Sequence, residues 1–555
     1  MNLLRLLPLA ALALAGPVYA QHGGHAPAPR ASVSDWARGA RLFDGLGTFH
    51  RKIATSSPEA QHYFDQGMRF VWAFNHDEAT RSFAKAAELD PKCASCYWGV
   101  ALTLGPNYNM PLMAEPRARA GWEALGKARA NAAAATPVEQ ALIAALAKRF
   151  DGPKPLDPSN SAPLLAAYVT AMEGVARRFP DDMDVQTMFA EGLMNTNPWK
   201  LWSTDGKPGP GTPAILAALQ KVLARDPKHP GANHYWIHAV EASRNPERAI
   251  PSADALVGMM PAAGHLEHMP AHIFQRVGRY EESAEANRKG AAADVAYLRL
   301  TAPPDYYPMY LVHNYQFLAY SAAMEGRRAE TIEALRKARA AVPEAMLLSM
   351  PGLDWGIGYL YDGMVRFGRW DELLAESAPN PKLTGLTIAW LQARATALAA
   401  KGRVEEAKKL LPELDRAIAA VPADATQGMN LASPLYEIGA LKARARIALA
   451  EGQHGAARIA LREAVTKEDG LSYNEPSDEF FPVRHLLGAA LLDAKRPAEA
   501  ETVYREDLRR NPNNGWALHG LVRALAAQGK KADAEKARFT EAWRHADTEL
   551  TASAF

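Results

Sequence analysis

His234 and His238 stand four residues apart, and His268 and His272 stand four apart again, the second pair 34 residues beyond the first. On a helix, i and i+4 side chains lie about 5–6 Å apart at Cβ, so both imidazoles of a pair can reach one metal ion at about 2.0–2.1 Å. Glu241 and His265 lie within three residues of these pairs, and His313 adds one more imidazole further on. Up to five imidazoles and a carboxylate suit zinc, copper, nickel or iron, and disfavour calcium or magnesium, which take oxygen. Met269 and Met309 nearby add weight to copper. Imidazole binds metal only when neutral, so affinity should fall below about pH 6.5. The chain lacks the His-Glu-x-x-His pattern of zinc proteases. Glu241 can be a ligand or a general base, and spacing does not choose between them. A His-lined ligand site without metal and a duplicated structural histidine are the competing readings.

These side chains need elements to hold them, and the elements repeat. From residue 60, Tyr63, Gly67, Phe70, Ala79, Phe83, Ala86 and Pro91 take positions 4, 8, 11, 20, 24, 27 and 32 of a 34-residue unit. Small residues at 8, 20 and 27 let two antiparallel helices approach, aromatics fill the gap, and proline ends the second helix. The same ruler places units at 196 (Pro227), 230 (Ala249, Pro261), 264 (Gly278-Arg279-Tyr280), 312 (Gly326, Pro343), 481 (Gly488, Ala500, Tyr504, Pro512) and 515 (Ala534). Between 127 and 195, and between 345 and 430, helical periodicity continues but the anchors blur.

On these anchors the chain resembles the tetratricopeptide repeat superfamily over about two thirds of its mature length. The resemblance implies an all-α fold, an α-α superhelix or solenoid of helix pairs with a concave groove. It also implies that positions 2, 5, 9 and 12 of a unit's first helix face that groove. His234, His238 and Glu241 take 5, 9 and 12 of one unit, His265, His268 and His272 take 2, 5 and 9 of the next, and His313 takes 2 of another. The expectation is therefore a histidine-lined inner wall outside the core.

Two insertions follow a first helix where a tight turn belongs. One carries Gly105, Pro106, Asn107, Tyr108, Asn109, Met110 and Pro111, and the other Asn195, Thr196, Asn197, Pro198, Trp199, Lys200, Leu201 and Trp202. Loops of this composition beside a groove often contact ligands, so Asn107, Asn109, Asn197 and Trp199 are candidate lid contacts, against the plainer reading that the rings staple loop to array. Thr301–Tyr310 is a third interruption. Cys93 and Cys96 are the chain's two cysteines, followed by Tyr97 where a haem-attachment motif needs histidine; a local disulfide or a redox or copper-binding pair remains. His485 and His519 also take position 5, and Glu475–Glu479 reads as a polar connector.

With 63 Lys+Arg against 61 Asp+Glu over 555 residues, the chain has no basic excess for nucleic acid. Residues 1–20, with Arg5, an apolar run and Val18-Tyr19-Ala20, read as a signal peptide, implying periplasm or exterior. Its apolar run is too short to span a membrane, and no later uncharged stretch is long enough. Residues 21–58, with His22 and His25, form a flexible leader and cap, followed by repeat regions 59–195, 196–345 and 346–555. No Gly-rich phosphate loop or nucleophile elbow is present. Two functions are expected from this: a transition metal, copper or zinc, held in the groove for handling or metal-assisted chemistry, or a peptide or protein partner held there instead. No pattern decides whether the protein is an enzyme.

Overall fold

A computed structural model describes residues 30–301, 307–350 and 352–555. The expected signal peptide and the leader's His22 and His25 lie outside the described residues, as do residues 302–306 of the 301–310 interruption. The chain is all-α, built of tetratricopeptide-like helix pairs, and among the described residues a short antiparallel ladder pairs Thr426–Gln427 with Asn430–Leu431. Each helix packs mainly on its neighbours in sequence, as a linear array requires. Among the described residues no helix is long and apolar enough to cross a membrane.

Backbone contacts divide the chain into two units, Met1–Ile273 with Lys289–Tyr307, and Phe274–Arg288 with Pro308–Phe555. In the first unit, Ser57 caps helix Pro58–Trp72 and Pro58 opens it; Asn75 caps its partner His76–Leu89. Of the expected anchors, Tyr63, Gly67, Phe70, Ala79, Phe83 and Ala86 are buried, whereas Pro91, just past the second helix, is exposed. A methyl group on Gly67 or Gly99 would run into the Phe83 ring, so glycine on two helices sets how closely they close on it. Cys93 and Cys96 form a disulfide at the start of helix Ala94–Leu104, where Cys93 Sγ accepts the Cys96 N–H.

The two insertions sit between helices as expected, and the second corrects the ruler. Helix Met183–Asn195 pairs with Thr212–Arg225 across the loop, so the unit counted from 196 has its first helix before that residue. The second unit repeats the pattern with Pro308–Met324 and Arg328–Ala340 turning at Gly326, then Val483–Asp493, Pro497–Arg510, Gly515–Ala526 and Asp533–Ala542. Its core gathers Tyr280, Tyr320, Leu360 and Trp516, and the buried Trp516 Nε1–H donates to the Ala323 carbonyl at 2.7 Å.

Candidate metal centre

Helix Pro230–Val240 carries His234 and His238, and Glu241 follows as its C-cap. His229 caps its start: Nδ1 accepts the Ala232 N–H at 3.0 Å while Nε2 bonds the Asp184 carboxylate. Gly231 lies under the Trp72 indole, where any Cβ would collide. All eleven residues of the helix are buried.

The second pair is not on one uninterrupted helix, contrary to expectation. Pro270 has no N–H for the ladder, and the segment divides into Gly264–His268, carrying His265 and His268, and Pro270–Arg276, carrying His272. Gly264 is required because a Cβ there would strike the Asp294 carboxylate. The break does not separate the rings: the His268 and His272 centroids are 4.5 Å apart and their Nε2 atoms 2.6 Å apart.

Six of the seven metal candidates therefore come together within the first unit. His234, His238 and His265 each offer a ring nitrogen, all within 4.8 Å of one another. The Nδ1–H of His234 donates to the Trp72 carbonyl at 2.6 Å, so its lone pair is on Nε2, which is buried and has no hydrogen-bond partner. Glu241 joins the two pairs: Oε1 lies 2.9 Å from His238 Nδ1 and Oε2 lies 2.7 Å from His272 Nδ1. With Nδ1 committed to the carboxylate, Nε2 is the nitrogen of each ring that would coordinate. His313 belongs to the second unit, on helix Pro308–Met324, where its ring packs 4.8 Å from Phe317.

A second expectation fails here. The histidines are not on an open wall: His234 and His268 are 0% exposed and His265 only 3%. Burial pushes the His234 and His265 imidazoles well below their ordinary pKa, and neighbouring imidazoles push the same way, so both rings are neutral at pH 7.

What covers them is a lid of aromatics. Phe74 lies 4.3 Å from the His234 ring centroid and stacks on His238 and His265. Tyr108 and Trp199, one from each insertion, both lie 5.5 Å from His238, and the Trp199 N–H donates to the Tyr108 hydroxyl. Beneath the first loop, the buried Arg149 guanidinium donates to the carbonyls of Leu102 and Pro106. Of the expected lid contacts, Trp199 thus reaches the cluster. Asn107 instead closes its own turn, accepting the N–H groups of Asn109 and Met110, and Asn197 donates to the Lys200 carbonyl. Short polar side chains in tight turns satisfy local backbone first.

The sequence reading missed Trp72, Phe74 and His76. Phe74 sits in the turn between the first two helices with φ +53°, a conformation costly for a bulky residue. His76, beside it, is pushed down to about 4 by burial. The signal was a phenylalanine-asparagine-histidine run in a turn where small residues normally stand.

No family model matches the chain, and no curated protein matches it. Among solved structures, the human IFIT1 dimer with PPP-AAAA is 13% identical, with a TM-score of 0.31, 92% of this chain and 99% of that one being covered. The APC/C hetero-tetramer Cut9-Hcn1 is 15% identical at 0.30, covering 89% and 81%, and yeast Tom70 is 11% identical at 0.28, covering 85% and 90%. Likenesses at that score carry no argument; the helix-pair fold rests on the packing described above.

Proposed function

We propose that this chain is an exported protein that binds a transition metal, copper or zinc, in the buried histidine cluster of its first unit, for metal handling or metal-assisted chemistry. The observation that carries this reading is His234 Nε2, a buried lone pair with no hydrogen bond, in a set of three imidazole nitrogens within 4.8 Å. A buried polar atom left unsatisfied costs about 1–3 kcal/mol, and a metal ion is the partner that three converging imidazoles suit. The carbonyl on His234 Nδ1 and the carboxylate on His238 Nδ1 are the outer partners that fix tautomer and ring direction at metal-binding histidines. Three ring nitrogens leave a tetrahedral ion one open position, as catalytic sites require. Glu241 uses both oxygens to orient imidazoles, which makes it a positioning residue in this reading.

Calorimetric titration of the metal-stripped protein with zinc and with copper tests the proposal. Binding at micromolar Kd or tighter, lost in His234→Ala/His238→Ala, is expected; no heat and no rise in thermal midpoint would overturn it.

A partner-binding reading has its own support in the second unit. A pocket there is lined by Arg366, Lys442, Arg446 and Asp362. Burial lowers the Arg366 guanidinium to about 9, and its Nε has no hydrogen-bond partner. An acidic peptide group would satisfy such a lining, and an acidic peptide that binds wild type and Arg446→Ala equally would remove the reading.

A further inference from the structure

We infer that the cluster is built for two metal ions, the first on His234, His238 and His265 and the second on His268 and His272. This rests on the reading of the cluster as a metal centre.

The donors are too many and too divided for one ion. Two nitrogens on one tetrahedral ion stand about 3.3 Å apart, given metal–nitrogen bonds of about 2.0–2.1 Å. His234, His238 and His265 form one set, each offering a ring nitrogen within 4.8 Å of the others. His268 and His272 form another, because their Nε2 atoms face each other at 2.6 Å. A single ion uses three or four protein ligands at such sites; gathering five would mean breaking up one of these sets.

The second pair already holds a proton where a cation would go. Two lone pairs at that distance repel, so a hydrogen lies between the rings. The His272 Nδ1–H donates to Glu241, which leaves its Nε2 accepting and assigns the shared hydrogen to His268. An ion entering here takes the place of that hydrogen, the nitrogens opening from 2.6 Å to about 3.3 Å while His268 changes tautomer.

Glu241 links the two positions. One oxygen orients His238 of the first set and the other orients His272 of the second, in a carboxylate that is only 2% exposed. Its single negative charge lies beside both sites and offsets part of the repulsion between two cations. The sets adjoin along two edges, with His238 5.5 Å from His272 and His265 5.8 Å from His268 by ring centroid. Counting the first unit's donors alone, the first ion has three nitrogen ligands and the second two, so on those donors the second is held more weakly.

Equilibrium dialysis of the full-length, metal-stripped protein against zinc, with zinc and protein both quantified, tests this. The expected result is two ions per chain in two affinity classes at least tenfold apart. His268→Gln/His272→Gln should keep one ion, in the tighter class. Cobalt titration of wild type gives a second readout that needs no variant: the visible d–d absorption should rise in two phases with different band positions. One ion per chain in wild type, with one cobalt phase, overturns the two-ion inference and leaves the single-ion reading standing. No bound ion overturns both. Two tight ions retained by a folded His268→Gln/His272→Gln variant would overturn the assignment of the second site.

Discussion

Glu241 has two jobs in one carboxylate: it orients two imidazoles and brings a negative charge to a site otherwise lined by histidine rings. Glu241→Gln keeps the shape and removes the charge, and outer partners of this kind are worth about 10–100-fold in metal affinity. Competition with a chromophoric chelator should show that loss with the fold intact by circular dichroism. The buried rings also set a pH dependence. Unfolded histidine takes its proton near pH 6.5, whereas folded His76 resists until about 4 and His234 and His265 are also held low. Below about pH 6.5 the unfolded chain therefore binds more protons than the folded one. The stability these rings contribute, fully present above that pH, is lost progressively as pH falls, for His76 down to about 4. Urea unfolding of the metal-stripped protein at pH 7, 6 and 5 should show a falling midpoint, and bound metal should oppose the fall.

At the scale of elements, two loops and one turn roof the cluster, and their support comes from below. Arg149 holds the carbonyls of Leu102 and Pro106 under the loop that presents Tyr108. Arg149→Met leaves those buried acceptors without their donor, a loss of about 1–3 kcal/mol, and should raise hydrogen exchange through residues 105–111 before it lowers the global midpoint. Much at this scale was legible in the sequence. Gly67, Phe83 and their fellow anchors read directly as a helix pair because the packing that needs them is local and repeated. The offset of 34 between the histidine pairs likewise brought six donors to one place in the reading before the structure did. Burial was not legible. The family's groove pattern says which way positions 5 and 9 point, and it cannot register that Phe74 from a distant turn, with Tyr108 and Trp199 from two insertions, closes over them. The repeat ruler took no account of Pro270, which breaks the second histidine helix, and the turn bonds of Asn107 and Asn197 depend on backbone angles that composition does not fix.

For the whole molecule, the cluster's place in one of two units has a thermodynamic consequence. A ligand that binds the folded state stabilises it by RT ln(1 + [L]/Kd), about 2.7 kcal/mol at a hundredfold excess over Kd. Nearly all of that effect should fall on the first unit. Hydrogen exchange should slow in helices Pro230–Val240, Gly264–His268 and Pro58–Trp72 when zinc is added, and change little in Val483–Asp493 or Gly515–Ala526. Uniform slowing across both units would mean that metal is acting elsewhere or on the molecule as a whole. The near balance of 63 basic and 61 acidic residues makes non-specific metal capture by a charged surface a poor alternative.

If histidine nitrogens of the first unit hold the metal, X-ray absorption at the metal edge of the zinc- or copper-loaded protein will detect them. The expected spectrum shows nearest nitrogens at about 2.0–2.1 Å with the outer scattering of at least two imidazoles, lost in His234→Ala/His238→Ala. Nearest oxygens without imidazole scattering, or a spectrum unchanged in that variant, would contradict histidine ligation.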